Sequence, residues 1–403
     1  MSLRRHLASL AALAALLGLT LLLSRFPARN DSPPWLHRVQ AAARSAESVD
    51  NFDLDTANYY EGLMNPDGGQ LPPVLRARGW RWFRVTWIHH EKLLTVQTSG
   101  FEMHRMIPGM AVTSPAGVMR TNSFGFADKE FTKQKPAGTL RIALIGDSVV
   151  RALGAPFGTA FESQLEDYLN QTHTTPEIRR FEVLNFGVSR YMFTQFIAVA
   201  EEQAAEFSPD VYIVALTRQH VAPLQWADHL TQLVQARRDL RYPFLRELAQ
   251  RAGLTAADSH ASAREKMAPF YAEALRLSLR EIDKFARSRG ARMMVVLLPV
   301  VERTPRVQND FRETRRLLAG EFEVVDLSDT FQQQPDLMAL RIAPDDFHPN
   351  ARGHELLCRN LVAQTDTNPR LRAILLGLSR HDGSAAAHSE EPGAQAQRRS
   401  AVP

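Results

Sequence analysis

Five short apolar runs, all beyond residue 140, constrain the fold of this chain more than any other feature. They read RIALIG (141–146), FEVLNFG (181–187), VYIVALT (211–217), ARMMVVLLPV (291–300) and FEVVDLS (322–328). Each is shorter than a typical helix and nearly continuous in apolar character, the pattern of a strand buried on both faces of a parallel sheet. Helical stretches lie between them, notably 159–172, 195–207, 263–288 and 310–318. Strands alternating with helices imply right-handed crossovers, and hence a doubly wound α/β three-layer sandwich around a central parallel sheet. The interval 221–262 is too long for an ordinary connection and reads as a helical insertion at one edge. No internal repeat is visible.

Composition removes other classes. Of the 403 residues 44% are hydrophobic and 23% charged, values that exclude a polytopic membrane protein, a collagen-like fibre and a wholly disordered chain. The net charge of +4 is too small and too evenly spread to call for nucleic acid. The single cysteine, Cys358, rules out an intrachain disulfide and a cysteine-rich metal site. At the N-terminus, Arg4 and Arg5 precede an uncharged run from Leu7 to Leu23. As a helix that run spans roughly 25 Å, the short end of what crosses a bilayer. With Arg25 and Phe26 following, residues 1–24 read as a signal anchor rather than a cleaved signal peptide. The positive-inside rule then sets the bulk of the chain outside the inner membrane, on the periplasmic side. Residues 25–34 form a polar, proline-bearing linker, 35–115 an accessory region, 116–365 the main domain, and 366–403 a terminal helix and a compositionally disordered tail.

The residues suited to chemistry stand at strand ends, beyond which ligands bind in open parallel sheets. The first strand delivers Gly146-Asp147-Ser148 at a turn into a helix, which exposes a hydroxyl beside helix-terminal amides. Alone, such a tripeptide is equally a plain N-cap. Another run ends in Asn185-Phe186-Gly187, where glycine lets a backbone N–H approach a ligand. Near the end of the chain comes Asp345-Asp346-Phe347-His348-Pro349-Asn350. There a carboxylate three residues before the histidine is able to hold its tautomer while the other nitrogen faces a nucleophile.

Taken in order, these segments resemble the SGNH (GDSL) hydrolase family over roughly residues 116–365. RIALIGDSVVRALG is similar to its first block, VLNFGVSRY to its second and DDFHPNARGHELL to its last. RTNSFGFADKEF (120–131) is similar to a lead-in of envelope-associated members. The resemblance implies a flavodoxin-like sandwich with Ser148 as nucleophile, His348 as general base and Asp345 as orienting acid. It also implies an oxyanion hole built from the Ser148 and Gly187 amides, and no cofactor. The family's third block usually reads Gly-Asn-Asp and adds an asparagine donor; here VYIVALT runs into Arg218-Gln219-His220. Gln219 is the first candidate for that donor and Arg218 the second, and a hole with only the two backbone donors is the third possibility. The implied activity is a serine esterase acting on acyl esters, O-acetyl among them, of envelope or secreted carbohydrate. An O-acyltransferase and a non-catalytic binding or assembly scaffold stand as alternatives.

Other features read as structural. Trp80, Trp82 and Trp87 interleave with Arg78, Arg81 and Arg84, the pattern of an amphipathic element packing tryptophan on a core more than of a sugar platform. His89 and His90 are adjacent and diverge on a strand, with no further ligand cluster to make a metal site. His354 reads as a helix-surface residue, and Arg315 and Arg316 as a solvated helix face.

Overall fold

The computed structural model describes residues 93–114, 117–343 and 346–378. The N-terminal apolar run, the linker, the Trp80–Trp87 segment, His89-His90 and the tail from 379 onward lie outside the described residues. Among the described residues no helix is long and apolar enough to cross a membrane.

The elements, in chain order, begin with two small antiparallel pairs, β1 (Thr95–Gln97) with β2 (His104–Met106) and β3 (Ala111–Ser114) with β4 (Gly117–Arg120). Then come β5 (Thr139–Gly146), α1 (Phe161–Thr172), β6 (Arg180–Gly187), α2 (Gln195–Ala198) and β7 (Val211–Leu216). Four helices follow: α3 (Arg218–Val221), α4 (Ala227–Gln235), α5 (Pro243–Arg251) and α6 (His260–Met267). The remainder is α7 (Tyr271–Ser288), β8 (Arg292–Leu297), α8 (Pro305–Leu318), β9 (Val324–Asp326), the pair β10 (Arg341–Ala343) and β11 (Asp346–Pro349), α9 (Ala351–Thr367) and α10 (Pro369–Leu375).

All five apolar runs are strands of one parallel sheet, ordered β6-β5-β7-β8-β9. Side-chain alternation splits the core in two. Ala143, Ile145, Leu184 and Val214 face the layer that holds α2, α4, α5 and α7. Ile142, Leu144, Val183 and Ile213 face α1, α9 and α10. With both faces covered, near-continuous apolar runs are what the strands require. The helical expectations differ in detail. The 263–288 stretch breaks into two helices around a 3₁₀ turn, Ala268–Phe270, because Pro269 has no N–H to continue the ladder. The 195–207 stretch begins as α2 and widens into a π turn at Val199–Gln203 before ending in a 3₁₀ turn. Packing also carries the domain back beyond residue 116: Phe101, Met103 and Met106 belong to the first core layer.

Some buried groups are ionisable. Arg141, near the start of β5, is fully buried and donates through Nε to Glu182 of β6 at 2.7 Å. Its Nη1 donates to the carbonyls of Lys133 and Phe207 at 3.1 and 2.9 Å. Asp128 and Glu162 are buried side by side near the end of β6. Burial pushes Asp128 up to about 6, with the Glu166 charge adding to it, and Glu162 up to about 7, with the Asp128 charge adding to it.

Two outcomes follow from these groups. Arg141→Met is expected to cost about 3–5 kcal/mol in urea unfolding because it leaves buried Glu182 only the exposed Arg180, 3.5 Å away, as counter-charge, and a second change, Glu182→Leu, to recover most of that loss. A carboxyl whose folded pKa is raised contributes stability below its unfolded pKa that is lost as pH rises through the folded value. Glu162→Gln is therefore expected to leave stability nearly unchanged near pH 4.5. At pH 8 it should raise it, by on the order of 1–3 kcal/mol in denaturant titrations.

Candidate active site

The crevice forms where β5 and β7 end side by side, the switch point of the strand order. β5 delivers Ser148 through a coil of turns rather than the expected helix. One i→i−4 bond, from the Arg151 N–H to the Asp147 carbonyl at 2.9 Å, closes a single turn. Ala152 then adopts a left-handed φ of 58° and ends it. The Ser148 N–H has no acceptor among the described residues, the condition a donor needs if it is to meet a substrate oxygen.

His348 comes from β11. Its Nε2 lies 2.7 Å from Ser148 Oγ and its Nδ1 2.6 Å from Asp346 Oδ1. Asp346 also accepts the His348 backbone N–H at 2.9 Å, so one carboxylate oxygen fixes both main chain and ring. Among the described residues the carboxylate on the imidazole is Asp346; the expected Asp345 lies outside the described residues. In β11 the side chains of Asp346 and His348 project from the same face, as period-two geometry requires. Burial works against protonating His348, but the charge and hydrogen bond of Asp346, with Asp147 behind, outweigh it and hold its pKa above the ordinary value. Asn350 locks this hairpin to α9. Its Oδ1 accepts from the N–H groups of Arg352 and Gly353 at 3.1 Å, and its Nδ2 donates to the carbonyls of Ala339 and Arg341.

The expected oxyanion donors are arranged otherwise. The Gly187 N–H donates to Asn185 Oδ1 at 2.9 Å and is occupied. The glycine is required for packing instead. A Cβ there would meet the Arg151 N at 2.5 Å and Val150 Cγ1 at 2.8 Å, so only a bare backbone lets the nucleophile turn lie over the end of β6. Gln219 Nε2 is also engaged, donating to Asp147 Oδ2 at 2.7 Å and to the Tyr191 carbonyl at 3.3 Å. Arg218 donates through Nη1 to buried Glu302 at 2.8 Å, which resolves the charge that would otherwise be isolated. Ser148 is thereby the one expected donor that stands open.

Sequence reasoning overlooked the groups behind the site. Asn185 Nδ2 donates to the Val150 carbonyl and its N–H to Asp128 Oδ2, both at 2.8 Å. Asp128 belongs to the lead-in stretch, where Asn122 Oδ1 accepts the N–H groups of Phe124 and Phe126 at 3.0 Å and shapes the loop. That motif was visible in the sequence, but nothing in it marked Asp128 as the residue that grips β6. Arg151 donates to Ser189 Oγ at 2.9 Å, and its positive charge opposes that of a protonated His348. His354, expected on a helix surface, is fully buried, its ring stacked on Phe161 at 6.1 Å. Burial and the neighbouring His348 push it down to about 3. Arg315 is exposed and reaches Asp326 at 3.4 Å. Among the described residues no cluster of side chains suits a metal ion.

No family model matches the chain, and no curated protein matches it either. Among solved structures it is similar to an acetylxylan esterase from Geobacillus stearothermophilus, at 18% identity over 56% of this chain and 93% of that one, with a TM-score of 0.38. An alpha/beta hydrolase from the metagenome of Lake Arreo, Spain, is similar at 17% identity over 56% of this chain and 95% of that one, TM-score 0.38. TesA is similar at 14% identity over 56% of this chain and 98% of that one, TM-score 0.35. The chain is thus similar to these structures over somewhat more than half of its length.

Proposed function

We propose that the chain is a serine esterase that acts on acyl esters, O-acetyl esters of envelope or secreted carbohydrate in particular. The observation that carries the reading is the unbroken relay from Ser148 Oγ through His348 to Asp346, with contacts of 2.7 and 2.6 Å. Ser148 Oγ attacks the ester carbonyl while its proton passes to His348 Nε2, and Asp346 stabilises the imidazolium without taking the proton. The Ser148 N–H receives the developing oxyanion. On collapse, His348 returns the proton to the leaving alcohol, and water or a second hydroxyl then accepts the acyl group. Loss of one donor typically costs about 10² to 10³, and here two of the three expected donors, the Gly187 N–H and the Gln219 amide, are engaged elsewhere. The carbohydrate assignment rests on the likeness of residues 120–131 to the lead-in of envelope-associated members. The location, outside the inner membrane behind an N-terminal anchor, rests on Arg4, Arg5 and the run Leu7 to Leu23.

A non-catalytic binding scaffold is the second reading, favoured by the engagement of both Gly187 and Gln219 away from the expected hole. A fluorophosphonate probe separates the two: an esterase labels at Ser148 and a scaffold does not. Ser148→Ala is expected to keep the fold and to lower hydrolysis of a model acetyl ester by about 10⁴ to 10⁶. Equal rates in variant and parent would remove Ser148 from the mechanism. For location, a reporter active only in the cytoplasm, fused after Pro403, is expected to be silent, and a strong signal would exclude export.

A further inference from the structure

Asp147 precedes the nucleophile and is only 2% exposed. A buried carboxylate is costly unless something compensates its charge. The three donors the structure gives it are all neutral: the Val149 N–H to Oδ1 at 2.9 Å, Gln219 Nε2 to Oδ2 at 2.7 Å, and the Thr217 hydroxyl to Oδ2. The adjacent His220 is held neutral. Its Nδ1 accepts the Thr217 N–H at 2.9 Å, which leaves the hydrogen on Nε2 to donate to the Tyr191 carbonyl at 2.8 Å. Burial presses His220 in the same direction. The groups whose charge bears on His348 are Asp346, Asp147 and Arg151, and the buried His354 beside it is neutral. Of these Arg151 is bound to Ser189 Oγ. When His348 takes the proton of Ser148, the residue next to Asp147, the imidazolium adds a positive charge to that of Arg151.

We propose that Asp147 is a second anion serving the His348 base, a positioning residue that acts through the imidazole and is cradled for this by Thr217 and Gln219. The segment that follows β7 then works on the base, not on the oxyanion. No proton reaches Asp147: it passes from Ser148 Oγ to His348 Nε2, and the imidazolium has Asp346 on its Nδ1 and, on its Nε2, the serine that follows Asp147. An anion fixed in advance favours that charged state over the neutral ground state, which is the differential stabilisation a catalyst needs.

The kinetic consequence rests on the esterase reading; the electrostatic one does not, and the test has an arm for each. Asp147→Asn and Asp147→Ser are both neutral, and both retain an oxygen able to accept the Val149 N–H. Titration of His348 by NMR with ring-labelled histidine is expected to move down by about 0.5 pH or more in either folded variant. The acid limb of kcat/KM should move by the same amount, with kcat lowered and KM little changed. An unmoved His348 titration in a folded variant overturns the proposal. So does loss of fold in both, which would make Asp147 a support of the turn alone. Should the parent neither label with fluorophosphonate nor cleave esters, the esterase reading falls, while the NMR titration still decides whether Asp147 acts on His348.

Discussion

The site depends first on two missing side chains. β5 and β6 run in register to end at Gly146 beside Gly187. A Cβ on Gly146 would lie 2.2 Å from Val150 Cγ2, and one on Gly187 would lie 2.5 Å from the Arg151 N. Neither contact exists in real proteins, so the turn from Asp147 to Arg151 takes this path only because both strands finish bare. The path then fixes everything else: where Ser148 Oγ projects, where its N–H opens, and how close the Asp147 carboxylate comes to the segment after β7. Asn185 fastens the arrangement from below, bonded at once to Gly187, Val150 and Asp128.

Around that turn, like charges are concentrated. Asp346 and Asp147 bear on His348, Asp128 bears on Glu162, and positive charge enters through Lys129 and Arg151. Lys129 spans Glu166 at 2.7 Å and the Val183 carbonyl at 3.2 Å. Glu162, buried and repelled by Asp128, is the member for which ionisation is hardest. Electrostatic stress of this kind is tolerated where function uses it and is otherwise replaced by apolar packing. Arg141 with Glu182, at the other end of β5, is a contrasting case: a matched pair with further carbonyl acceptors, and no open face toward the crevice.

Much of the fold was legible because burial on both faces leaves an unmistakable apolar run, and all five runs proved to be strands of one sheet. Ser148 and His348 were legible because turn and strand-end chemistry are local. The donors were not. Whether an N–H is free depends on which side chain folds back onto it, and Asn185 and Gly187, two residues apart, form such a bond invisibly to any pattern of residue types. The same holds for Gln219, whose reach is toward Asp147, 72 positions away in the chain. Asp346, the neighbour of the expected Asp345, was not singled out in the sequence, although the strand conformation of β11 sets it on the same face as His348. His354 shows the limit from the opposite side: a polar residue in an amphipathic helix reads as exposed, yet its ring is flat against Phe161.

The hydrogen bond between Ser148 and His348 joins residues 200 positions apart. The first of these belongs to the opening strand of the sheet, and the second to a hairpin that comes after its last strand. During synthesis the nucleophile is therefore built long before its base exists, and the sheet is able to close around a serine that is still unprimed. Reactivity arrives last, when Asn350 clips the hairpin onto α9. An unfinished chain of this kind lacks the Ser148–His348 contact, and that order of assembly is written into the topology.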